Sequence, residues 1–248
     1  LNKVTQAKIV DNKSLTDDIF LISLEIPEPI EAKPGQFCIL RMNERLDPLL
    51  GRPFSIFDYE GNIINFLYRV KGKGTEILSK MDKDQNVLLT GPLGRWYPYP
   101  EKDFVVIAGG IGLASVYYLI KKFKNRAYFF CGVRSEKEIL FYNEIKTFAK
   151  EVYISTESGT TGYRGVVTDL FKEKGLMLNL PVYACGPMVM LKELKRIVQG
   201  SSIPCYVAVE ERMACGIGAC LGCAIETREG LKRVCTDGPI FELKELML

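Results

Sequence analysis

The sequence predicts an α/β-plus-β chain in three parts. These are an N-terminal antiparallel β-barrel domain over residues 1–98, a doubly wound parallel-sheet domain over 99–203, and a small C-terminal subdomain over 204–248. Three observations carry this. Short apolar or alternating runs, punctuated by turn residues, fill the first hundred positions. From residue 99 the grammar changes to strands alternating with helices. After residue 203 that pattern stops, and four of the chain's eight cysteines fall between Met213 and Gly238.

In the first part the strand candidates are QAKIVDNKSL, IFLISLEIP, QFCILRMN, FSIFDYEG, NIINFLYRV and QNVLLTGPLG. Asp11-Asn12, Pro34-Gly35, Glu60-Gly61 and Gly91-Pro92 separate or end them, and only TEILSKM reads as helix. Frequent short strands of this kind suggest an antiparallel barrel or sandwich. In the second part DFVVIAGG, RAYFFCGV, EVYIST and LPVYACG read as buried strands. LASVYYLIKKF, EKEILFYNEIKTFAK, VVTDLFKEK and PMVMLKELKRIVQG read as the helices between and after them. That order implies a doubly wound parallel sheet.

Composition narrows the function classes. The chain has 248 residues, 47% hydrophobic and 25% charged, with a net charge of +3. Such a balance gives no electrostatic footprint for nucleic acid. The uncharged run 104–120 is at the lower edge of a membrane span. The glycines at 109, 110 and 112 make strand, turn and helix the better reading, so no membrane association is expected. The first fifteen residues show no apolar signal core, and a cytoplasmic setting is expected. There is no histidine at all, which excludes His-based triads, His-ligated zinc and His-ligated haem. Chemistry in this chain is therefore borne largely by cofactors.

The clustered cysteines are Cys215, Cys220, Cys223 and Cys235, spaced C-x4-C-x2-C-x11-C. This is the plant-type [2Fe–2S] spacing. Gly216, Gly218 and Gly222 let the loop curl and turn N–H groups inward. A hairpin of AIET and LKRVC about REG brings Cys235 back towards Cys223. A structural zinc site and plain buried cysteines are the alternatives; zinc ordinarily shows paired C-x2-C knuckles, and only one short pair is present. Cys38, Cys131 and Cys205 sit in apolar contexts and read as buried packing residues.

Two glycine turns mark a nucleotide site. Gly109-Gly110-Ile111-Gly112 ends one strand and opens a helix, and Cys185-Gly186-Pro187 does the same further on. Both fall at the carboxyl ends of strands, where open α/β sheets bind ligands. In the first part, Arg52 before a strand with Ser55 offers charge to a pyrophosphate and backbone to a flat ring. Gly74-Thr75 opens a helix after glycines, a second anion-binding geometry.

In this order the motifs R-P-F-S, G-G-I-G and C-G-P-M resemble the ferredoxin–NADP reductase superfamily. ERMACGIGACLGC followed by VCTDGPIF is similar to the electron-transfer subunits of NAD-linked, two-subunit dihydroorotate dehydrogenases. The resemblance spans essentially the whole chain. It implies one FAD and one [2Fe–2S] cluster, with NAD(H) as co-substrate. By match, Arg52, Pro53, Phe54 and Ser55, with Tyr68, Arg69 and Val70, line the FAD, and Gly74 and Thr75 meet its phosphates. Gly109, Gly110, Gly112, Cys185, Gly186 and Pro187 form the nicotinamide-nucleotide side, with Cys185 near the nicotinamide. Cys215, Cys220, Cys223 and Cys235 hold the cluster. Phe54 lacks the hydroxyl of the tyrosine often found in the superfamily motif.

The carriers imply a wire. NAD(H) exchanges two electrons as hydride, a cluster passes one at a time, and a flavin does both, so it belongs between them. In the resembling family a separate FMN-containing subunit oxidises dihydroorotate and passes its electrons on, in pyrimidine biosynthesis. The implied assembly is a heterotetramer of two of each subunit. One alternative is the flavin and iron–sulfur subunit of a hydrogenase or of an NADH-dependent ferredoxin:NADP oxidoreductase. Another is a zinc-stabilised, non-enzymatic nucleotide-binding module. NAD is favoured over NADP by resemblance, with Arg134 the candidate that a 2′-phosphate would require.

Overall fold

A computed structural model describes residues 4–42 and 47–248. The N-terminal part holds β1 (Val4–Ser14), β2 (Ile19–Glu25), β3 (Phe37–Arg41), β4 (Arg52–Ser55), β5 (Asp58–Glu60), β6 (Ile63–Arg69), α1 (Lys73–Ser79) and β7 (Asn86–Leu93). Its seven strands form one sheet in the order β4-β3-β7-β1-β2-β6-β5, antiparallel throughout. The single strand expected over FSIFDYEG is two, and they occupy opposite edges of the sheet. Only Ile56 and Phe57 join them, so the sheet must curl until its edges meet. The Ile56 N–H bonds the Gln36 carbonyl at 2.9 Å, while the next N–H, of Phe57, bonds the Asn65 carbonyl at 2.9 Å. One dipeptide thus ties both edges together. Inside the curl lie Ile9, Ile22, Leu24, Leu40, Phe66 and Tyr68, all but excluded from solvent. Asn43, the last residue of the expected third strand, lies outside the described residues.

The second part runs β8 (Phe104–Gly109), α2 (Leu113–Lys122), β9 (Ala127–Val133), α3 (Tyr142–Phe148), β10 (Glu151–Thr156), β11 (Tyr163–Arg164), α4 (Val167–Leu170), β12 (Val182–Cys185) and α5 (Met188–Val198). With β13 (Cys205–Ala208) and β16 (Ile240–Glu242) its strands form a second sheet, ordered β11-β10-β9-β8-β12-β13-β16. All pairings are parallel except β13 with β16. Every residue of β8 is buried, as a central strand covered on both faces requires. The expected helix over EKEILFYNEIKTFAK is shorter: Phe141 takes a left-handed φ of 55°, and α3 begins only after it. No helix among the described residues is long and apolar enough to cross a membrane.

The cysteine segment is built differently. Its regular structure is a hairpin of β14 (Ala224–Thr227) and β15 (Gly230–Arg233), registered Ala224 to Arg233 and Thr227 to Gly230. This is the expected return about REG. The segment is stitched to both larger parts. β16 takes the antiparallel edge of the second sheet, and the Arg95 N–H bonds the Gly238 carbonyl at 2.6 Å.

The two larger parts share an apolar interface rather than a loose hinge. Phe57 stacks on Tyr117 of α2 at 4.0 Å, and Phe141 closes on the pair. Lys121 of α2 reaches Asp58 of β5 at 2.5 Å.

Candidate functional site

β4 and β6 supply one wall of a cleft of about 220 Å³. Pro53, Phe54, Ser55, Leu67, Tyr68 and Arg69 line it from the antiparallel sheet. Ile111, Ala114 and Cys185 line it from the parallel sheet, and Met213 and Pro239 from the cysteine segment. All three parts of the chain therefore meet at one cavity.

The side chains refine the expectations. Arg52 points away towards α1. Its Nη1 donates to the Leu50 carbonyl at 2.6 Å, and a Cβ at Gly74 would stand 2.7 Å from its Nε. Gly74 is thus the residue that lets the start of α1 sit on the guanidinium, and the two motifs of the first part converge. The Thr75 hydroxyl is already used by its own loop. It accepts from the N–H groups of Lys71 and Gly72 at 2.9 and 3.2 Å and donates to the Gly72 carbonyl at 2.9 Å. Phe54 is buried edge-on to Tyr68 at 5.6 Å. The Tyr68 hydroxyl donates inward to Asn12 at 3.1 Å, and burial raises its pKa above that of an ordinary phenol. The Val70 N–H is taken by the Asp18 carbonyl at 2.8 Å.

Behind this cleft opens a second of about 740 Å³, lined by Gly109, Gly110, Gly112, Gly186, Pro187 and Arg134 among others. The two glycine turns sit back to back. A Cβ on Gly112 would collide with the Cys185 carbonyl oxygen and stand 2.5 Å from its carbon. A Cβ on Gly109 would stand 2.7 Å from Met190 Sδ and 2.9 Å from Pro187 Cδ. Gly110 is different: its φ is +54°, and a Cβ there would meet nothing within 4 Å. Cys185 is buried beside Ser115, and burial pushes its thiol well above the ordinary range, so it is neutral. Arg69 and Lys71 line both clefts. Arg69 also bridges the domains, with Nη2 on Glu138 at 2.6 Å and Nε 3.2 Å from Asp18.

Glu138, Lys71, Glu210 and Met213 were not singled out by sequence. Met213 lies inside the ERMACGIGACLGC motif but carries no ligand signal there; the other three are brought to the clefts by the fold.

Among the described residues, no three acidic, histidine or cysteine side chains converge on a point that would hold one metal ion. The cysteines form two pairs instead, Cys215 with Cys220 and Cys223 with Cys235. Four thiolates in two pairs are what a two-iron cluster takes. N–H groups already face the sulfurs. That of Cys220 points at Cys215 Sγ, that of Gly222 at Cys220 Sγ and that of Cys235 at Cys223 Sγ, each at 3.4 Å. Burial works to raise the Cys215 thiol, but the N–H groups of Ile217, Cys220 and Ala219 and the Cys220 thiol hold it down to about 6. Cys235 is pushed up to about 11, by burial first and then by the Cys223 thiol beside it. The donor set fits an iron–sulfur cluster. Cys223 and Cys235 are buried, while Cys220 is exposed between Ile217 and Leu221, themselves 53% and 62% exposed.

An antiparallel curled sheet joined to a parallel nucleotide sheet, with a shared cleft, defines an oxidoreductase of the ferredoxin-reductase class. The solved structure of an NADH-dependent reduced ferredoxin–NADP oxidoreductase superposes with a TM-score of 0.85 at 25% identity, covering 96% of this chain and 88% of that one. A ferredoxin NADP+ reductase from Neisseria gonorrhoeae, solved with FAD and NADP, has the same fold, with a TM-score of 0.69 at 19% identity over 86% of this chain and 95% of that one. An oxidoreductase NAD-binding domain matches residues 106–196, and the iron–sulfur cluster binding domain of dihydroorotate dehydrogenase B matches 210–247. The dihydroorotate dehydrogenase B (NAD(+)) electron transfer subunit of Clostridium acetobutylicum is 37% identical over 99% of this chain and 98% of its own length. That of Caldanaerobacter subterraneus is 36% identical over 98% of each. The chain belongs to the family of dihydroorotate dehydrogenase B electron transfer subunits.

Proposed function

We propose that this chain carries electrons between an FMN-containing dihydroorotate dehydrogenase subunit and NAD, through a [2Fe–2S] cluster and FAD. The observation that carries the reading is the first cleft, walled by all three parts of the chain. Residues 1–98 form its FAD-binding domain, 99–203 its NAD-binding domain and 204–248 its cluster subdomain, with β13 and β16 docking the last to the parallel sheet. When bound, the flavin supplies exchange between hydride transfer and single-electron steps.

The residues of this chain hold and orient. Pro53, Phe54, Ser55, Tyr68 and Arg69 line the cleft that takes a flat ring. Val70 follows them in the chain, and Arg52, packed on Gly74 outside that lining, receives the phosphates with the Gly74-Thr75 turn. Gly109, Gly110, Gly112, Gly186 and Pro187 admit the nicotinamide nucleotide to the second cleft, and Cys185 stands as a neutral thiol at the junction. Cys215, Cys220, Cys223 and Cys235 hold the cluster, whose exposed side at Ile217, Cys220 and Leu221 faces the partner. The assembly is a cytoplasmic heterotetramer of two of each subunit.

The purified chain should hold one FAD and two irons, and reduce a dye with NADH. Alone it should not oxidise dihydroorotate; with the partner it should reduce NAD in a dihydroorotate-dependent way. Zinc instead of iron, no flavin released on denaturation, or co-purification with hydrogenase subunits would each reject the reading.

A further inference from the structure

The cysteine loop carries a corner that the ligand assignment does not use. Among the described residues Thr236 Oγ1 is one of four buried side-chain polar atoms without a hydrogen-bond partner. Buried hydroxyls are ordinarily satisfied, so the missing partner calls for an account. Thr236 follows Cys235 directly, and its side chain faces the loop between Cys215 and Cys220, with Cγ2 3.1 Å from where a Cβ at Gly218 would stand and the hydroxyl beside it. A Cβ at Gly218 would stand 3.3 Å from Thr236 Oγ1 and 3.2 Å from Arg233 Nη1. Gly218, at a φ of +79°, thus lets both side chains close on the loop.

Arg233 is held there from two sides. Its backbone N–H and its Nε both donate to Asp237 Oδ2, at 2.7 and 3.2 Å, and Nη1 donates to the Gly218 carbonyl at 3.4 Å. The guanidinium of Arg233, two residues before Cys235 in the chain, is thereby fixed against the loop that runs from Cys215 to Cys220.

We propose that Arg233 and Thr236 set the reduction potential of the cluster, Arg233 as a fixed positive charge locked by Asp237 and Thr236 as a hydroxyl donor to a cluster sulfur. This rests on the reading of the four cysteines given above. Reduction adds one negative charge to the cluster. A neighbouring cation and an extra donor both favour the reduced form, so both raise the potential. Such tuning bears directly on the direction in which electrons run along the chain.

The test is a potentiometric titration of the cluster, followed by electron paramagnetic resonance, on the full chain with its cofactors. Arg233→Gln should shift the reduced-to-oxidised ratio at fixed ambient potential towards oxidised by about tenfold, or about 59 mV for a one-electron couple. Thr236→Val should shift it the same way by about fivefold, the scale of one hydrogen bond. Thr236→Ser should restore it. High salt should shrink the Arg233 effect, because that side chain is 41% exposed, and leave the Thr236 effect unchanged. Unchanged potentials in variants that keep two irons, or shifts in the opposite sense, would overturn the proposal. Wild-type protein without iron would instead overturn the cluster reading beneath it.

Discussion

The paired glycine turns of the nucleotide sheet and the cysteine loop are both glycine-rich, and they use glycine differently. At Gly109, Gly112 and Gly186 packing demands it: the Cys185 carbonyl crowds Gly112, and the Met190 side chain crowds Gly109 and Gly186. At Gly216 and Gly218 conformation is added to packing: φ is +70° and +79°, the Ile39 side chain crowds the first and Thr236 the second, and the non-glycine Leu221 adopts +59° nearby. The first region opens from the end of a central strand buried at every residue. In the second, three N–H groups have sulfur as acceptor. One site is finished by the fold, the other by what it binds.

The largest test of that contrast is Cys220→Ser. It should abolish the cluster and all dihydroorotate-dependent NAD reduction, while FAD stays bound and NADH–dye reduction continues. Iron analysis, flavin release and the two assays on one preparation read this out. If FAD left together with the iron, the cleft shared by the three parts would be coupled to the cysteine loop, and the independence argued here would fail.

Gly112→Ala comes next and breaks the comparison from the other side. Its methyl would collide with the Cys185 carbonyl, backbone against backbone, with no flexible end to yield. Overpacking of this kind costs about 1–3 kcal/mol or more. The denaturation midpoint should fall accordingly and NADH binding should be lost, with iron content retained. An unchanged midpoint would mean that the two turns separate freely. Smaller again is the effect of removing the cluster from otherwise native protein. Amide exchange should quicken over residues 214–222, where few backbone hydrogen bonds are made, and stay slow over 104–112. Equal quickening in both regions would place them in one cooperative unit.

How much of this the sequence shows follows from the same contrast. The glycine turns, their edge of the sheet, the cysteine spacing and the hairpin returning Cys235 are legible because each is a local pattern with a physical cause. What escapes is made by distance along the chain. FSIFDYEG reads as one strand because nothing local says that Ser55 and Asp58 must pair with opposite edges. β16 is three residues long and finds its place only against β13. The Arg69–Glu138 bridge spans the domain boundary, and the use of the Thr75 hydroxyl by its own loop depends on loop geometry. Charge in a sequence says that a partner is needed, not which one.

The finest test uses two glycines in one turn. Gly110 lies two residues before Gly112 and lines the same cleft, yet a Cβ there meets nothing within 4 Å. Its constraint is conformational, a φ of +54°, which costs an alanine about 1 kcal/mol. For a chain of this size that is roughly 2–4 °C in Tm. The added methyl faces open cleft rather than backbone, so it meets the nucleotide and not the protein. Gly110→Ala should therefore leave flavin, iron and fold nearly intact while raising the KM for NADH in the dye assay. Gly112→Ala should lose stability first and binding as a consequence. If the two variants lost stability equally, the turn would be limited by backbone conformation throughout. If Gly110→Ala left the KM for NADH unchanged, the second cleft would take its nucleotide away from this turn, and the glycines would be there for the fold alone.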